Sequence, residues 1–104
     1  MDKRAKSFGL VKMMNAAAKE QNIWRIPPAD LSLEKTEVHV WLAHLDCEKI
    51  GEYERIISAD ELTRADKFRF EKDRNKFIAG RSILRKILGE YLQKQPNLLR
   101  FAYN

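Results

Sequence analysis

Arg64, Lys67, Arg74, Lys76, Arg81 and Arg85 crowd one short stretch of this 104-residue chain. Guanidinium groups grip phosphate oxygens through planar, paired hydrogen bonds, and lysine adds a mobile point charge. Such cations in a fixed geometry are chemistry for a phosphate-bearing ligand. The plainer reading of a charge run is a solvated helical surface. The distribution of charge bears on the choice. Of a net charge of +5, residues 1–57 contribute nothing, with nine Lys/Arg against nine Asp/Glu, whereas residues 58–104 hold eleven against six. An anionic ligand therefore belongs with the second part of the chain. The nearest acids, Glu71 and Asp73, are of a type that holds magnesium over a phosphate, but helix capping accounts for Asp73 more simply.

Two helices must position these cations. Ser58 and Glu61 make the Ser-x-x-Glu capping box that starts the first, and Asp60 adds negative charge to its first turn. Leu62, Ala65 and Phe68 or Arg69 follow at three- and four-residue steps, leaving Arg64 and Lys67 side by side on another face. Asp73 is expected to cap a second, long helix running to about Gln93, with Phe77, Gly80, Leu84, Ile87, Leu88 and Tyr91 as its buried stripe. Arg74, Arg81 and Arg85 then fall on one line along the edge of that stripe. A helix-interior glycine costs about 1 kcal/mol against alanine, so Gly80 is expected where another backbone or a ligand approaches closely.

The remaining elements look like support. Leu10, Val11, Met13, Met14, Ala17 and Ala18 recur at helical spacing, so residues 1–21 are expected to form an amphipathic helix, surface-packed or partly ordered rather than an organelle-targeting peptide. Pro27 and Pro28 enforce an extended connection. Glu37 to Asp46 reads as a strand with Val38, Val40 and Leu42 on one face and His39, Trp41 and Ala43 on the other; two apolar faces place it inside a sheet. His39 and His44, five positions apart, face opposite sides and do not share a metal. Ile50 to Ile57 reads as a short helix whose Glu52 and Glu54 are solvated. After Pro96, Leu99, Phe101 and Tyr103 alternate with Arg100 and Ala102 as in a second strand. The expected fold is α+β (α/β): about three helices against a small sheet built from the Glu37 and Leu98 strands, with further strands from a partner.

Much is excluded. No apolar run approaches the roughly 20 residues of a membrane helix. A single cysteine, Cys47, forms no internal disulfide, which points to a reducing, cytoplasmic setting. There is no G-x-x-x-x-G-K-[ST] loop, no G-x-G-x-x-G, no H-E-x-x-H and no cysteine pair.

Beyond the physical chemistry, the stretch from Ser58 to Leu92 resembles the N-terminal half of the Sfp-type 4′-phosphopantetheinyl transferases. That family's pattern of a Ser-x-x-Glu start, Arg-Ala, an aromatic pair, Asp-x-x-x-Phe and Gly-Arg-x-x-Leu-Arg is met by Ser58, Glu61, Arg64, Ala65, Phe68, Phe70, Asp73, Phe77, Gly80, Arg81, Leu84 and Arg85. The strand from Val38 to Asp46 and the closing Leu99-Arg100-Phe101 also look like the family. The likeness spans about residues 36–104, which makes 1–35 an N-terminal helix and Pro-containing extension and 36–104 an N-terminal transferase subdomain. It implies an enzyme (a holo-[acyl-carrier-protein] synthase) that moves phosphopantetheine from coenzyme A to a serine of an apo acyl or peptidyl carrier protein with magnesium. It further implies coenzyme A phosphate contacts from Arg64 first, Lys76 next, and Arg81 as a weaker candidate with a structural alternative.

The departures matter equally. The family's second half carries Gly-x-Asp-x-Glu for magnesium and Trp-x-x-Lys-Glu, and a Gly-Lys-Pro segment follows its closing strand; none occurs here. Trp24 is followed by Arg25-Ile26-Pro27 and Trp41 by Leu42-Ala43-His44. The expectation is a truncated, split or excised half, without metal ligands or catalytic residues and inactive alone. Its partners would be the missing C-terminal half or a second copy, with neither nucleic acid nor membrane. The competing class is a non-catalytic basic module that binds nucleic acid or an acidic protein through the same helices. Against it, the chain has no aromatic single-strand platform and no DNA-binding motif.

Overall fold

In the computed structural model, which describes residues 11–15 and 24–103, the backbone divides into two units, residues 1–44 and 45–104. The first contains an antiparallel pair, β1 (Val11–Asn15) and β2 (His39–Ala43), in the register Val11↔Ala43, Met13↔Trp41 and Asn15↔His39. On its other edge β1 is bridged by Arg25, with Met13 N–H donating to Arg25 O at 2.8 Å and Arg25 N–H returning to Met13 O at 2.9 Å. Both backbone polar groups of Met13 are thus satisfied by Arg25, and its side chain is buried.

This corrects the helix expected over residues 1–21 where it is described. Apolar spacing at Leu10, Val11, Met13 and Met14 is compatible with a helix, but helix propensity is a weak preference that ladder pairing on both edges overrides. The remainder of that expected helix lies outside the described residues. The strand around Val40 is where the sequence placed it, yet it is not interior to a sheet among the described residues. Its pairing is with β1, and the Val38, Val40 and Leu42 face is exposed. At its entry Glu37 accepts hydrogen bonds from Asn15 Nδ2 at 2.6 Å and from the Glu34 amide at 3.0 Å, closing a turn.

The second unit opens with a 3-10 turn, Cys47–Lys49, where Asp46 Oδ1 accepts from the Glu48 amide. It continues through α1 (Ile50–Glu54), α2 (Ala59–Ala65) and α3 (Glu71–Leu92), and ends with a second 3-10 turn, Pro96–Leu98. Helices α1 and α2 and the last turn all pack on α3. The core of this unit comprises Tyr53, Ile57, Ala65, Ile78, Ala79, Ile83, Ile87 and Leu99, and burying each large apolar side chain contributes about 1.5–3 kcal/mol. A small antiparallel sheet and three helices among the described residues make the fold α+β.

Four details of α3 and the tail differ from expectation. The N-cap is Phe70, without a side-chain hydrogen bond, and Asp73 sits in the first turn, where its charge favours the helix dipole. The buried face carries Ile78, Ser82, Arg85 and Gly89 at four-, three- and four-residue steps, flanked by Ala79, Ile83 and Ile87. Of the expected stripe Ile87 is buried, Phe77, Gly80, Leu88 and Tyr91 are half-buried and Leu84 is exposed, because burial of Arg85 turns the core-facing side of α3 away from Leu84. A Cβ on Gly80 would meet nothing within 4 Å; the close approach is at Gly89, where a Cβ would lie 2.7 Å from Lys94 O. There the chain leaves the helix through Gln93 in the left-handed region (φ 54°), and the Lys94 amide returns to Gly89 O at 3.0 Å. Finally, Leu99 to Tyr103 is not a strand of the described sheet, which consists of β1 and β2. Arg85, rather than a neighbouring strand, takes up the Leu99 carbonyl at the start of this extended segment, together with that of Pro96 in the turn before it.

Candidate functional site

The site grows from the α2 capping box. Ser58 Oγ accepts from the Glu61 amide at 3.2 Å and Glu61 Oε1 accepts from the Ser58 amide at 2.9 Å, so two of the helix's orphan donors are satisfied reciprocally. In most capping boxes the glutamate is solvated. Here Glu61 is only 3% exposed, because α3 lies over it and presents Arg85, itself 2% exposed.

Arg85 Nε donates to Glu61 Oε1 at 2.6 Å, while its Nη1 donates to Pro96 O at 2.9 Å and Leu99 O at 2.8 Å. Its guanidinium carbon also lies 4.9 Å from the centre of the Phe101 ring. One buried cation thereby ties the start of α2, the middle of α3 and the tail together. Arg81, one turn earlier, brings Nε to 3.3 Å from Glu61 Oε2, an ion pair whose alignment falls short of a hydrogen bond. Its guanidinium also faces Phe77 and Phe101 at 5.5 and 5.3 Å. Arg74 is engaged as well: it donates to Asp66 Oδ1 at 2.8 Å and lies 3.7 Å from Glu54. The Asp66 hydrogen bond raises its pKa above the usual arginine value.

Arg64 differs from these three. It is exposed, and its guanidinium stands 5.3 Å from the Tyr103 ring centre. Two hollows meet at Arg64. The larger, about 300 Å³, is lined by residues including Ser58, Asp60, Arg64, Arg100, Phe101 and Tyr103, with Glu61 and Arg85 behind. The smaller, about 270 Å³, is lined by Arg64, Lys67, Phe68 and Phe77, with the two phenyl rings tilted at 5.5 Å. An open cation above an aromatic wall, with Arg100 across the hollow, suits a planar or phosphorylated anionic ligand.

Of the residues singled out in sequence, Arg64 and Arg81 share this neighbourhood. Lys76 is exposed on α3 and belongs to the lining of neither hollow. Phe101, Tyr103 and Arg100 went unnoticed as site residues; their alternation was visible but was read as a strand. The Glu61–Arg85 pair spans 24 residues, and no local periodicity could have joined its members. Among the described residues no three His, Cys, Asp or Glu side chains cluster as metal ligands, and no helix is long and apolar enough to cross a membrane.

Comparison with known proteins places this arrangement. No protein-family model and no solved structure matches the chain. Among curated proteins it is 41% identical over 85 residues to the 4′-phosphopantetheinyl transferase HetI of Nostoc sp., covering 80% of this chain and 36% of that protein. It is 30% identical over 64 residues to slr0495 of Synechocystis sp., a protein named for the same activity, covering 62% of this chain and 26% of that one. The first match is longer than residues 36–104, so the likeness extends upstream of the region the motifs marked. The chain spans between a quarter and a little over a third of the length of the curated relatives it matches. The chain is thus similar, over part of their length, to curated proteins named as 4′-phosphopantetheinyl transferases, in agreement with the motif pattern.

Proposed function

We propose that this segment forms the coenzyme A side of a phosphopantetheinyl transferase, with Arg64 as its principal phosphate contact. The observation that carries the reading is that Arg64 is the one arginine of the matched motif left open to solvent. Arg81 and Arg85 are both turned onto Glu61. Lys76, on the exposed side of α3, supplies a second, mobile charge to a ligand that extends beyond the hollow. Arg81 contributes mainly by sharing Glu61 and stacking on Phe101, and its part in phosphate binding is secondary.

The reaction so assigned moves the phosphopantetheine arm of coenzyme A to a serine of an apo carrier protein and releases adenosine 3′,5′-bisphosphate. This chain's residues bind and orient the phosphate-rich donor, where charge-assisted hydrogen bonds matter most. The described residues offer magnesium no cluster of ligands: Glu61 is committed to its arginines and Asp60 stands alone on the rim. In this reading, which rests on the family resemblance, metal and proton-transfer groups belong to a second segment, on the same or a separate polypeptide, and a segment without it is inactive. The setting is the cytoplasm, where carrier proteins and coenzyme A meet.

The test is transfer from coenzyme A to an apo carrier protein with magnesium, read from the carrier's mass. It is run with this chain alone and with a C-terminal transferase segment added. Product only in the mixture supports the assignment; product in neither removes it.

A further inference from the structure

The tail from Leu99 to Tyr103 builds one wall of the Arg64 hollow, yet it belongs to no described sheet. What holds it is Arg85, through the Pro96 and Leu99 carbonyls, with Glu61 neutralising the charge from behind. Two consequences follow along the tail. Phe101 lies against both Arg81 and Arg85, with guanidinium carbons 5.3 and 4.9 Å from its ring centre. Two residues later Tyr103, 63% exposed and so contributing little to the core, places its ring beside Arg64.

We infer that Glu61 and Arg85 are positioning residues for ligand binding: their buried pair clamps the tail so that Tyr103 holds Arg64 in a binding-ready orientation. This deepens the phosphate-site reading and rests on it. The physical basis is preorganisation. An arginine on an exposed helix samples many rotamers, and a ligand that must fix one binds more weakly than to a side chain already held. Arginine suits the clamp because its fixed fork reaches a carboxylate and two carbonyls together. Lysine keeps the charge but offers a single nitrogen.

The experiment measures binding of adenosine 3′,5′-bisphosphate to the full chain by calorimetry, together with amide hydrogen exchange, for wild type, Arg64→Ala, Arg85→Lys and Tyr103→Ala. Tyr103→Ala is expected to weaken binding about two- to fivefold, the worth of an exposed cation–π contact. Arg85→Lys is expected to weaken it on the order of tenfold while the helix α3 amides stay protected and those of the tail exchange faster. Because Tyr103 is exposed, its removal does not endanger folding and keeps the test decisive if Arg85→Lys fails to fold. Unchanged affinity in Tyr103→Ala, or unchanged tail exchange in a folded Arg85→Lys, overturns the clamp. Absence of binding by wild type, or no loss in Arg64→Ala, instead overturns the phosphate-site reading. In that case the exchange data alone still decide whether Arg85 holds the tail.

Discussion

Replacing Glu61 with alanine should be among the most damaging single changes in this protein. Glu61 is 3% exposed and its Oε1 accepts both the Ser58 amide and the Arg85 guanidinium. Its loss leaves Arg85 as a buried cation without a counter-charge, which typically costs about 3–5 kcal/mol, and undoes half of a capping box worth about 1 kcal/mol. The carbonyls of Pro96 and Leu99 remain as acceptors for Arg85, so a net loss near 3 kcal/mol is expected rather than the full sum. That is a large share of a total stability of roughly 5–15 kcal/mol and should lower the melting temperature by about 12–24 °C. Ser58→Ala, which removes the cap without touching the ion pair, should cost only about 1 kcal/mol. Urea unfolding followed by circular dichroism compares the two, and the double variant Glu61→Leu with Arg85→Met should recover much of the loss because no fully buried charge is left stranded, Arg81 being partly open to solvent. If Glu61→Ala proves no worse than Ser58→Ala, the buried pair does not support the fold in the manner described.

The two glycines of α3 should respond oppositely. Gly80→Ala, with open space around its Cβ, should stabilise by about 1 kcal/mol, whereas Gly89→Ala drives a methyl into Lys94 O at 2.7 Å and should destabilise by about 1–3 kcal/mol; equal effects in thermal melts would contradict the close approach. Acid should loosen the turn at Glu37, whose pKa is lowered by the Glu34 amide hydrogen bond and, more weakly, by His39 and Asn15. A lowered carboxylate pKa contributes stability that is present above the ordinary glutamate value of about 4.3 and is lost as pH falls through the lower folded value. Glu37→Gln should flatten that part of the pH profile, and identical acid profiles for variant and wild type would refute the point.

Local signals in the sequence were read well where a local interaction decides the outcome. The Ser58–Glu61 box, the helix it starts and the strand around Val40 needed only neighbours a few residues away. Errors came where distant partners decide. Val11 to Asn15 joins a ladder with residues 28 positions or so further along, and that pairing converted a helical pattern into a strand. Arg85 entered the core because Glu61 and two tail carbonyls were there to receive it, so counting apolar residues rotated the expected buried face of α3. The tail alternates like a strand, but the Leu99 carbonyl at its start is taken by the Arg85 side chain. Its role as a wall of the hollow was invisible until Phe101 and Tyr103 were seen beneath the arginines. Arg64 stood out as a candidate in the motif, whereas the pairing of Arg81 and Arg85 with Glu61, which sets the exposed Arg64 apart from them, was not legible there.

The central claim concerns Arg64, and the most direct measurement is the KM for coenzyme A of the completed transferase carrying Arg64→Ala, beside Lys72→Ala as an exposed control. Loss of a charge-assisted phosphate contact of about 1.5–3 kcal/mol should raise KM roughly ten- to a hundredfold in the Arg64 variant and leave the Lys72 variant near wild type. An Arg64→Ala enzyme that saturates at the same coenzyme A concentration as wild type would contradict the account.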